Sequence, residues 1–399
     1  MSAKSAATVG FWGVRGSTPT VDRANWRYGG NTPCLELVTP DGTRFILDCG
    51  TGMRMLGNRR ARTHAHKGID AHILLTHYHW DHIQGIPFFA PLYAPQHRFQ
   101  FYSSPSKHLD NGSLRQVLES HMAKPYFPVD LSKMPAAREF IEIQGGDKFE
   151  INGTKVISRW LNHPQGCLGF RFETSAGTIV YATDNEPGVP ELDKSLRELA
   201  AGADVLINDS QYSPEQLAGP RKGWGHSSWL EGVKIAQEVG AKHLVLFHHD
   251  PDSSDKVVDG LLRDARQKFR NVWAAAEGMV VTLDANGLEV DIRHTRGVRR
   301  RDARFTATVS GHSEDGVKFE ERTYIRDVTL QGAFLYLAHK PQLQSEMKVA
   351  MEAPAQAGQS GSHIYLRGYV VRREPGPEPH LTGVGLVFTE ELDPDPTTG

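Results

Sequence analysis

Over the first three-quarters of this chain, short apolar runs end abruptly in polar, turn-forming residues. Runs of that length, bounded by Gly, Pro, Asn and Asp, predict strands over residues 8–13, 34–39, 44–48, 72–76, 148–160, 168–173, 178–183, 205–207 and 243–247. Asn152-Gly153 interrupts the longest run and predicts a hairpin turn inside it. A helical period takes over in three places. Leu192, Leu196 and Leu199 share one side of a helix over 190–200, a stripe that reads as core. Ser228, with Glu231 three residues on, reads as a capping box that opens a helix closed by Gly240. Ser253 or Ser254 caps the next, in which Val257, Leu261, Leu262, Ala265 and Phe269 share an apolar face. Residues 278–292, turning at Ala285-Asn286-Gly287, predict a closing hairpin.

The pattern then changes. Arg293, Arg296, Arg299, Arg300, Arg301 and Arg304 crowd twelve positions. Short alternating segments follow at 304–310, 328–337, 346–351, 363–371 and 383–388, with little helical period and many turn residues, so a small all-β barrel is expected. Residues 352–362 read as a small-residue loop and 391–399 as a Pro-rich acidic tail. The expected division is a first domain over 1–292, a second over 293–392 and a disordered tail over 393–399. The expected class is α/β followed by all-β.

Composition narrows the setting. With 399 residues the chain is too long for one ordinary domain and suits two. Hydrophobic residues make up 39% and the mean hydropathy is -0.43, as in a soluble globular protein; no apolar run reaches the length of a membrane span. The start, Met1-Ser2-Ala3-Lys4-Ser5, lacks the apolar core of a secretory signal. Cys34, Cys49 and Cys167 are scattered, cannot all pair and lack metal spacing, so free thiols in a reducing cytoplasm are expected. A net charge of -2 argues against a general nucleic-acid binder.

The chemistry concentrates in Thr76-His77-Tyr78-His79-Trp80-Asp81-His82, directly after the apolar run 71–75. Histidines at i and i+2 of an extended segment point the same way, so His77 and His79 can grip one ion. Asp81 and His82 follow where the chain turns into a helix and can face a second. His163, Asp184 and His248 each lie at or just past the end of another apolar strand.

Together these residues resemble the metallo-β-lactamase fold of αββα hydrolases, over roughly residues 7–292. Ile46-Leu47-Asp48-Cys49-Gly50-Thr51-Gly52 matches that fold's glycine turn before its first helix. The resemblance implies that His77, His79 and His163 hold one zinc, that Asp81, His82 and His248 hold the other, and that Asp184 bridges them. His249 is the rival of His248, which lies two residues beyond Leu246 as the usual ligand does. Histidine and carboxylate without thiolate suit zinc, and manganese or iron can occupy such a set. The diiron branch has Glu at the position of His79, so hydrolysis is expected, with Asp81 orienting the nucleophile.

Three features resemble the phosphodiesterase branch of that superfamily, which includes ribonuclease Z and cyclic-phosphate phosphodiesterases. These are residues 11–19 with 28–32, the Gly225-His226-Ser227-Ser228 motif, and Asp209 at a strand end. His226 is then a candidate acid or phosphate ligand and Asp209 its orienting partner; a helix-cap neighbour and a turn residue are the plain alternatives. Arg15 and Asn31 are candidates for phosphate contact or for shaping the glycine-rich loop. Residues 88–134 are not strongly basic, and Tyr126-Phe127-Pro128 reads as an aromatic lid over a small substrate. Export is expected of a true β-lactamase, and glyoxalase II gives no reason for His226.

In the C-terminal part, Arg300-Arg301-Asp302-Ala303-Arg304, followed by Asp327-Val328-Thr329-Leu330-Gln331-Gly332 and residues 383–388, resembles a PilZ domain, a receptor for cyclic di-GMP. That resemblance implies that Arg300, Arg301, Arg304, Asp327, Thr329 and Gly332 bind the dinucleotide, with Thr329 where Ser is usual. The expected function is a binuclear phosphodiesterase for a small cyclic nucleotide or cyclic phosphate, regulated by cyclic di-GMP. A cyclic di-GMP effector that signals through a protein partner, an RNA-processing nuclease, and association into a homodimer stay open.

Overall fold

Strand Ala7–Gly13 alternates buried and half-buried residues, the signature of a strand with one face on a core. It pairs with Cys34–Val38 on one side and Met279–Asp284 on the other. The first sheet runs, in spatial order, Gly287–Ile292, Met279–Asp284, Ala7–Gly13, Cys34–Val38, Arg44–Leu47, Asp70–Leu74, Arg98–Ser103 and Ala137–Glu142. The second runs Val272–Ala274, His243–Phe247, Val205–Asp209, Gly177–Ala182, Cys167–Thr174, Thr154–Leu161 and Lys148–Ile151. The structure is a computed structural model that describes residues 6–63, 68–109, 112–292, 305–329, 332–342, 345–352 and 363–392. Two compact units emerge, Met1–Ile292 and Arg293–Gly399.

In the first unit the two sheets face each other across a core that includes Phe11, Leu35, Phe45, Phe170, Phe172 and Phe247. Helix Gly52–Thr63 and its neighbours cover the outer face of the first sheet through Met53, Leu56, Phe89 and Leu118. Helices Pro190–Ala200, Trp229–Glu238 and Asp255–Lys268 cover the second through Leu196, Leu199, Val233, Ala236 and Ala265. This is an α/β sandwich of the helix–sheet–sheet–helix kind. Its parallel central strands are buried on both faces, which is why they read as unbroken apolar runs. Their carboxyl ends point to one edge of the sandwich, where backbone leaves the sheet and side chains can converge on a ligand.

Several expectations need correcting. Strand Arg98–Ser103 and helix Leu114–His121 lie in the stretch 88–134 read as carrying a lid, and strand Ala137–Glu142 follows just beyond it; both strands belong to the first sheet. Ser228 accepts a hydrogen bond from Glu231 N, but Glu231 turns to Lys234, so only half the capping box forms. A complete box forms instead at Ser213 and Gln216. Ser254, not Ser253, caps the last helix, and Val258 is buried there while Val257 is exposed. Val258, Leu262 and Ala265 are spaced by a helical turn and follow the core more closely than the stripe through Val257.

The second unit is a closed six-stranded barrel in the order Phe305–His312, Lys318–Thr329, Gly332–Leu337, Thr382–Leu392, His363–Pro375 and Glu346–Glu352. Ala307, Val309, Ile325, Leu335, Met347, Val349, Val370 and Val384 fill it. The expected single strand over 328–337 is two: Val328 and Thr329 end one strand, Gly332 begins its antiparallel partner, and Thr329 sits opposite Gly332. Arg300, Arg301, Arg304, the loop positions 353–362 and the tail 393–399 lie outside the described residues. Among those described, no helix is long and apolar enough to cross a membrane, and Cys34, Cys49 and Cys167 are free and buried.

Candidate metal centre

Two clusters form at the carboxyl edge of the sandwich. Single atoms of His77, His79 and His163 lie within 4.8 Å of one another, and so do single atoms of Asp81, His82, Asp184 and His248. His77 and His79 follow strand Asp70–Leu74, His79 in extended backbone, and the short helix Trp80–Ile83 delivers Asp81 and His82. His163 follows Thr154–Leu161, Asp184 follows Gly177–Ala182, and His248 follows His243–Phe247. Asp184 spans the clusters. Its Oδ1 is 3.9 Å from the Nε2 of both His77 and His163, and its Oδ2 is 3.3 Å from His82 Nε2 and 3.4 Å from His248 Nε2.

The hydrogen bonds around the clusters fix the imidazole tautomers. His82 Nδ1 donates to Asp48 Oδ2 at 2.9 Å, His248 Nδ1 to Gln211 Oε1 at 2.9 Å, and His163 Nδ1 to the Gly225 carbonyl at 2.8 Å. Thr76 Oγ1 gives its proton to Asp48 and so accepts from His77 Nδ1 at 3.0 Å. In the neutral rings every Nε2 is therefore a bare lone pair.

Four acceptors then meet in the second cluster with no donor among themselves, although Asp81 Oδ2 accepts from Ser17 N at 2.8 Å and Asp184 Oδ2 from Thr183 Oγ1 at 2.6 Å on their outer sides. His82 Nε2 is 3.2 Å from Asp81 Oδ2 and 3.3 Å from His248 Nε2, which is itself 3.3 Å from Asp81 Oδ2. In the first cluster His77 Nε2 is buried with no hydrogen-bond partner. Converging lone pairs repel unless a cation lies among them. Tetrahedral ligands ~2.0–2.2 Å from a metal stand roughly 3.3–3.6 Å apart. The spacing of the second cluster matches, so donor chemistry and geometry there both fit a divalent ion.

Electrostatics point the same way. Burial pushes His77 well down and His163 down to about 4, so both are held neutral, as ligands must be. Burial also acts against a charged His82, but Asp81, Asp184 and Asp48 outweigh it and hold that ring well above its ordinary value. A proton on His82 thus does in part what a metal would do. Asp184 is buried too, yet His248 and His82 hold it well below the usual carboxylate range.

A third group sits beside these. Asp209 Oδ2 accepts from His226 Nδ1 at 2.8 Å, and Asp209 Oδ1 takes the Ser227 N–H. Burial opposes charge on His226, but Asp209 outweighs it and raises the ring to about 9. Glu186 pins the loop before it by accepting from Gly223 N and Gly225 N, each at 2.7 Å. Gly225 has φ +86°, and a Cβ there would strike Pro164 and His163. His226, Asp184, Asp81, His79, Ser17 and Gln165 line a cavity of about 500 Å³.

His249 turns away: its Nε2 meets the Ala275 carbonyl at 2.9 Å, and burial drives it down to about 3. Arg15 is fully buried, donating to the carbonyls of Gly29, Asp250 and Ser253, while Asn31 bonds Glu277; both shape the loop and neither lines the cavity. Tyr126 is exposed, and Phe127 meets Phe88 edge-on at 5.7 Å. Asp327 and Gly332 lie on the barrel, far along the chain from these groups.

Sequence reasoning misses the supporting layer. It shows Asp48 only as part of a glycine turn and Thr76 only as a flank, and it gives no sign of Gln211 or Tyr181. Ser17 N donates to Asp81 Oδ2 at 2.8 Å, and Gln211 Nε2 reaches Ser17 Oγ at 3.3 Å. One signal is present: Asp48, like the ligands, is a polar residue at the end of an apolar strand. Backbone strain marks the same place. Six described non-glycine residues have positive φ, between 48° and 69°. Asn152 is in a hairpin turn; Ser17, Asp48, Gln165, Asp184 and His248 are all in or around this centre.

Comparison with known proteins agrees with this geometry. Residues 43–249 match the family model described as a beta-lactamase superfamily domain. A ribonuclease Z from Methanosarcina mazei is 26% identical over 317 residues, 67% of this chain and 95% of that protein. Among solved structures, the metallo-beta-lactamase fold protein YhfI from Bacillus subtilis is 21% identical, with a TM-score of 0.52, and covers 70% of this chain and 100% of its own. A diphosphatase of the PhnP family is 23% identical, with a TM-score of 0.50, and covers 69% of this chain and 96% of its own.

Because metal and proton compete for His82, bound metal measured by mass spectrometry after dialysis is expected to fall as the pH is lowered. Replacing Asp48 with Asn removes the carboxylate that fixes His82 and, through Thr76, His77. Asp48→Asn is expected to weaken metal binding by roughly 10–100-fold, measured by chelator competition.

Proposed function

Because the chain belongs to the β-lactamase superfamily and is a metal-dependent hydrolase, we propose that it cleaves phosphodiesters, with His226 as general acid. The observation that carries this reading is the buried His226–Asp209 pair, at 2.8 Å, whose histidine lines the same cavity as Asp81 and Asp184. In this reading His77, His79 and His163 hold one ion, Asp81, His82 and His248 the other, and Asp184 both. A bound pair of divalent ions, zinc by ligand type, supplies charge to neutralise the diester and to lower the pKa of water.

The chain's own residues do the rest. Asp81, steadied by the Ser17 N–H, orients the attacking group from its other oxygen. Asp209 holds the His226 Nδ1 proton, which leaves Nε2 as the nitrogen that hands a proton to the departing alkoxide. An alkoxide is a poor leaving group without that proton, whereas a thioester's thiolate can leave without one. The relatives named as a ribonuclease and a diphosphatase support a phosphorus centre.

The cavity volume suits a small cyclic nucleotide or cyclic phosphate. A second reading, an RNA-processing nuclease, is favoured by the similarity to ribonuclease Z over 95% of that protein's length. Comparing turnover of structured RNA with that of cyclic nucleotides separates the two. In the barrel, the reading gives cyclic di-GMP to Arg300, Arg301 and Arg304 together with Asp327, Thr329 and Gly332. Arginine suits the task because its planar fork pairs with phosphate and stacks on guanine. Regulation requires the dinucleotide to favour one arrangement of the protein over another.

Asp184→Ala is expected to abolish hydrolysis of bis(p-nitrophenyl) phosphate and to lower metal content; full activity in that variant would overturn the reading. Activity should fall on the alkaline side as His226 loses its proton. Removing the negative charge with Asp209→Asn lowers the His226 pKa, so the alkaline limb should move down by roughly one to three pH units. Calorimetry is expected to detect cyclic di-GMP binding to the full chain and its loss in Arg300→Ala, and saturating dinucleotide should change turnover.

A further inference from the structure

Trp80 stands between two ligand residues, His79 and Asp81, at the first position of helix Trp80–Ile83. The other three residues of that helix, Asp81, His82 and Ile83, are buried, whereas Trp80 is 78% exposed. Among the described residues its indole belongs to no apolar cluster and has neither a hydrogen-bond partner nor a ring neighbour. It does line the cavity, together with His79, Asp81, Asp184 and His226. Single exposed apolar residues are ordinary on a protein surface. An indole is the largest of them, and this one is carried on the backbone that carries two ligands, so a shift in its position shifts the centre as well.

We propose that Trp80 is a specificity residue whose free face stacks on a planar aromatic group carried by the phosphodiester, foremost a nucleobase. The inference rests on the phosphodiesterase reading and adds to it what the rest of the substrate looks like. With the phosphate at the centre and His226 at the leaving oxygen, the Trp80 side of the cavity receives the group that stays on phosphorus. Stacking needs only a π-face, so it tolerates different bases. Besides His226, the cavity's other residues outside the ligand set are Ser17, Gln165 and Tyr78. Ser17 and Gln165 hold left-handed backbone and present polar groups suited to phosphate or sugar oxygens, whereas Tyr78 packs against the core and donates its hydroxyl to the Ser104 carbonyl, which leaves Trp80 as the aromatic with an open face.

The test uses the metal-loaded full chain and two diesters with the same leaving group, thymidine 5′-(p-nitrophenyl) phosphate and methyl p-nitrophenyl phosphate. Trp80→Ala should lose roughly ten- to a hundredfold in kcat/KM on the nucleoside ester and far less on the methyl ester. Trp80→Phe, which keeps an aromatic face, should retain most of the activity. Equal losses on both esters, or no loss, would overturn the proposal. Bis(p-nitrophenyl) phosphate as a third probe distinguishes any aromatic ring, if Trp80→Ala impairs it too, from a nucleobase, if it does not; both outcomes support stacking.

Wild-type protein that cleaves none of these esters would sink the phosphodiesterase reading and leave Trp80 to a binding measurement. The chain has 7 tryptophans, so the difference in fluorescence between wild type and Trp80→Ala isolates this one. Thymidine 5′-monophosphate should quench that difference signal and methyl phosphate should not. Absence of quenching by the nucleotide would overturn the proposal whatever the reaction.

Discussion

The Asp48 carboxylate has no contact with solvent, yet it accepts from Thr76 N at 2.8 Å, Thr76 Oγ1 at 3.0 Å, His82 Nδ1 at 2.9 Å and Tyr181 Oη at 2.7 Å. A buried charge is tolerable only when its lone pairs are satisfied, and these four donors do so. They also belong to different parts of the sandwich. Asp48 ends a strand of the first sheet, Thr76 and His82 follow the neighbouring strand, and Tyr181 stands on a strand of the second. One carboxylate therefore ties the sheets together at the edge where ligands emerge and sets the tautomer of His82 directly. Through the Thr76 hydroxyl it also sets that of His77. Removing it would leave Tyr181 and Thr76 with unpaired buried donors and His82 free to turn.

The centre itself is costly to build. Its imidazoles present lone pairs to one another and to carboxylates, and five residues in or around it hold left-handed backbone. Each such arrangement is unfavourable in isolation and persists because the surrounding structure over-determines it. The close backbone approach at Gly16 belongs to the same arrangement: a Cβ there would come within 2.6 Å of the His248 ring and Gln211 Oε1. That opening lets the Gly16-Ser17 loop reach Asp81.

Most of the sandwich was legible because its central strands are buried on both faces and so read as unbroken apolar runs. The members of the two clusters were legible for a related reason: a polar, metal-capable residue at the end of such a run has few packing roles. Arg98–Ser103 and Ala137–Glu142 were not: charged and exposed residues blur the period of Ala137–Glu142, Arg98–Ser103 is a short mixed segment, and the place of each in the sheet is set by neighbouring strands. The supporting residues escaped because Gln211, Tyr181 and Thr76 act through contacts that only the fold creates; no local spacing announces that Gln211 will meet His248. Arg15 and Asn31 shared a motif-like segment with Ser17, yet the fold turns the first two inward to carbonyls and Glu277. In the barrel, the change of strand between Thr329 and Gly332 was hidden because no proline and no strong turn pair breaks the run 328–337.

The N-terminal strand has one more consequence. Ala7–Gly13 lies between strands, and one of its partners is Met279–Asp284, near the far end of the same unit. Val14 and Gly16 likewise exchange backbone hydrogen bonds with His249. During synthesis at ~5–20 residues per second, the first strand waits on the order of tens of seconds for the partner that completes its sheet. For most of that interval His77, His79 and His82 have been made but His248, the last member of the two clusters, has not. The cluster of Asp81, His82, Asp184 and His248 can therefore be completed only when the first unit is nearly finished.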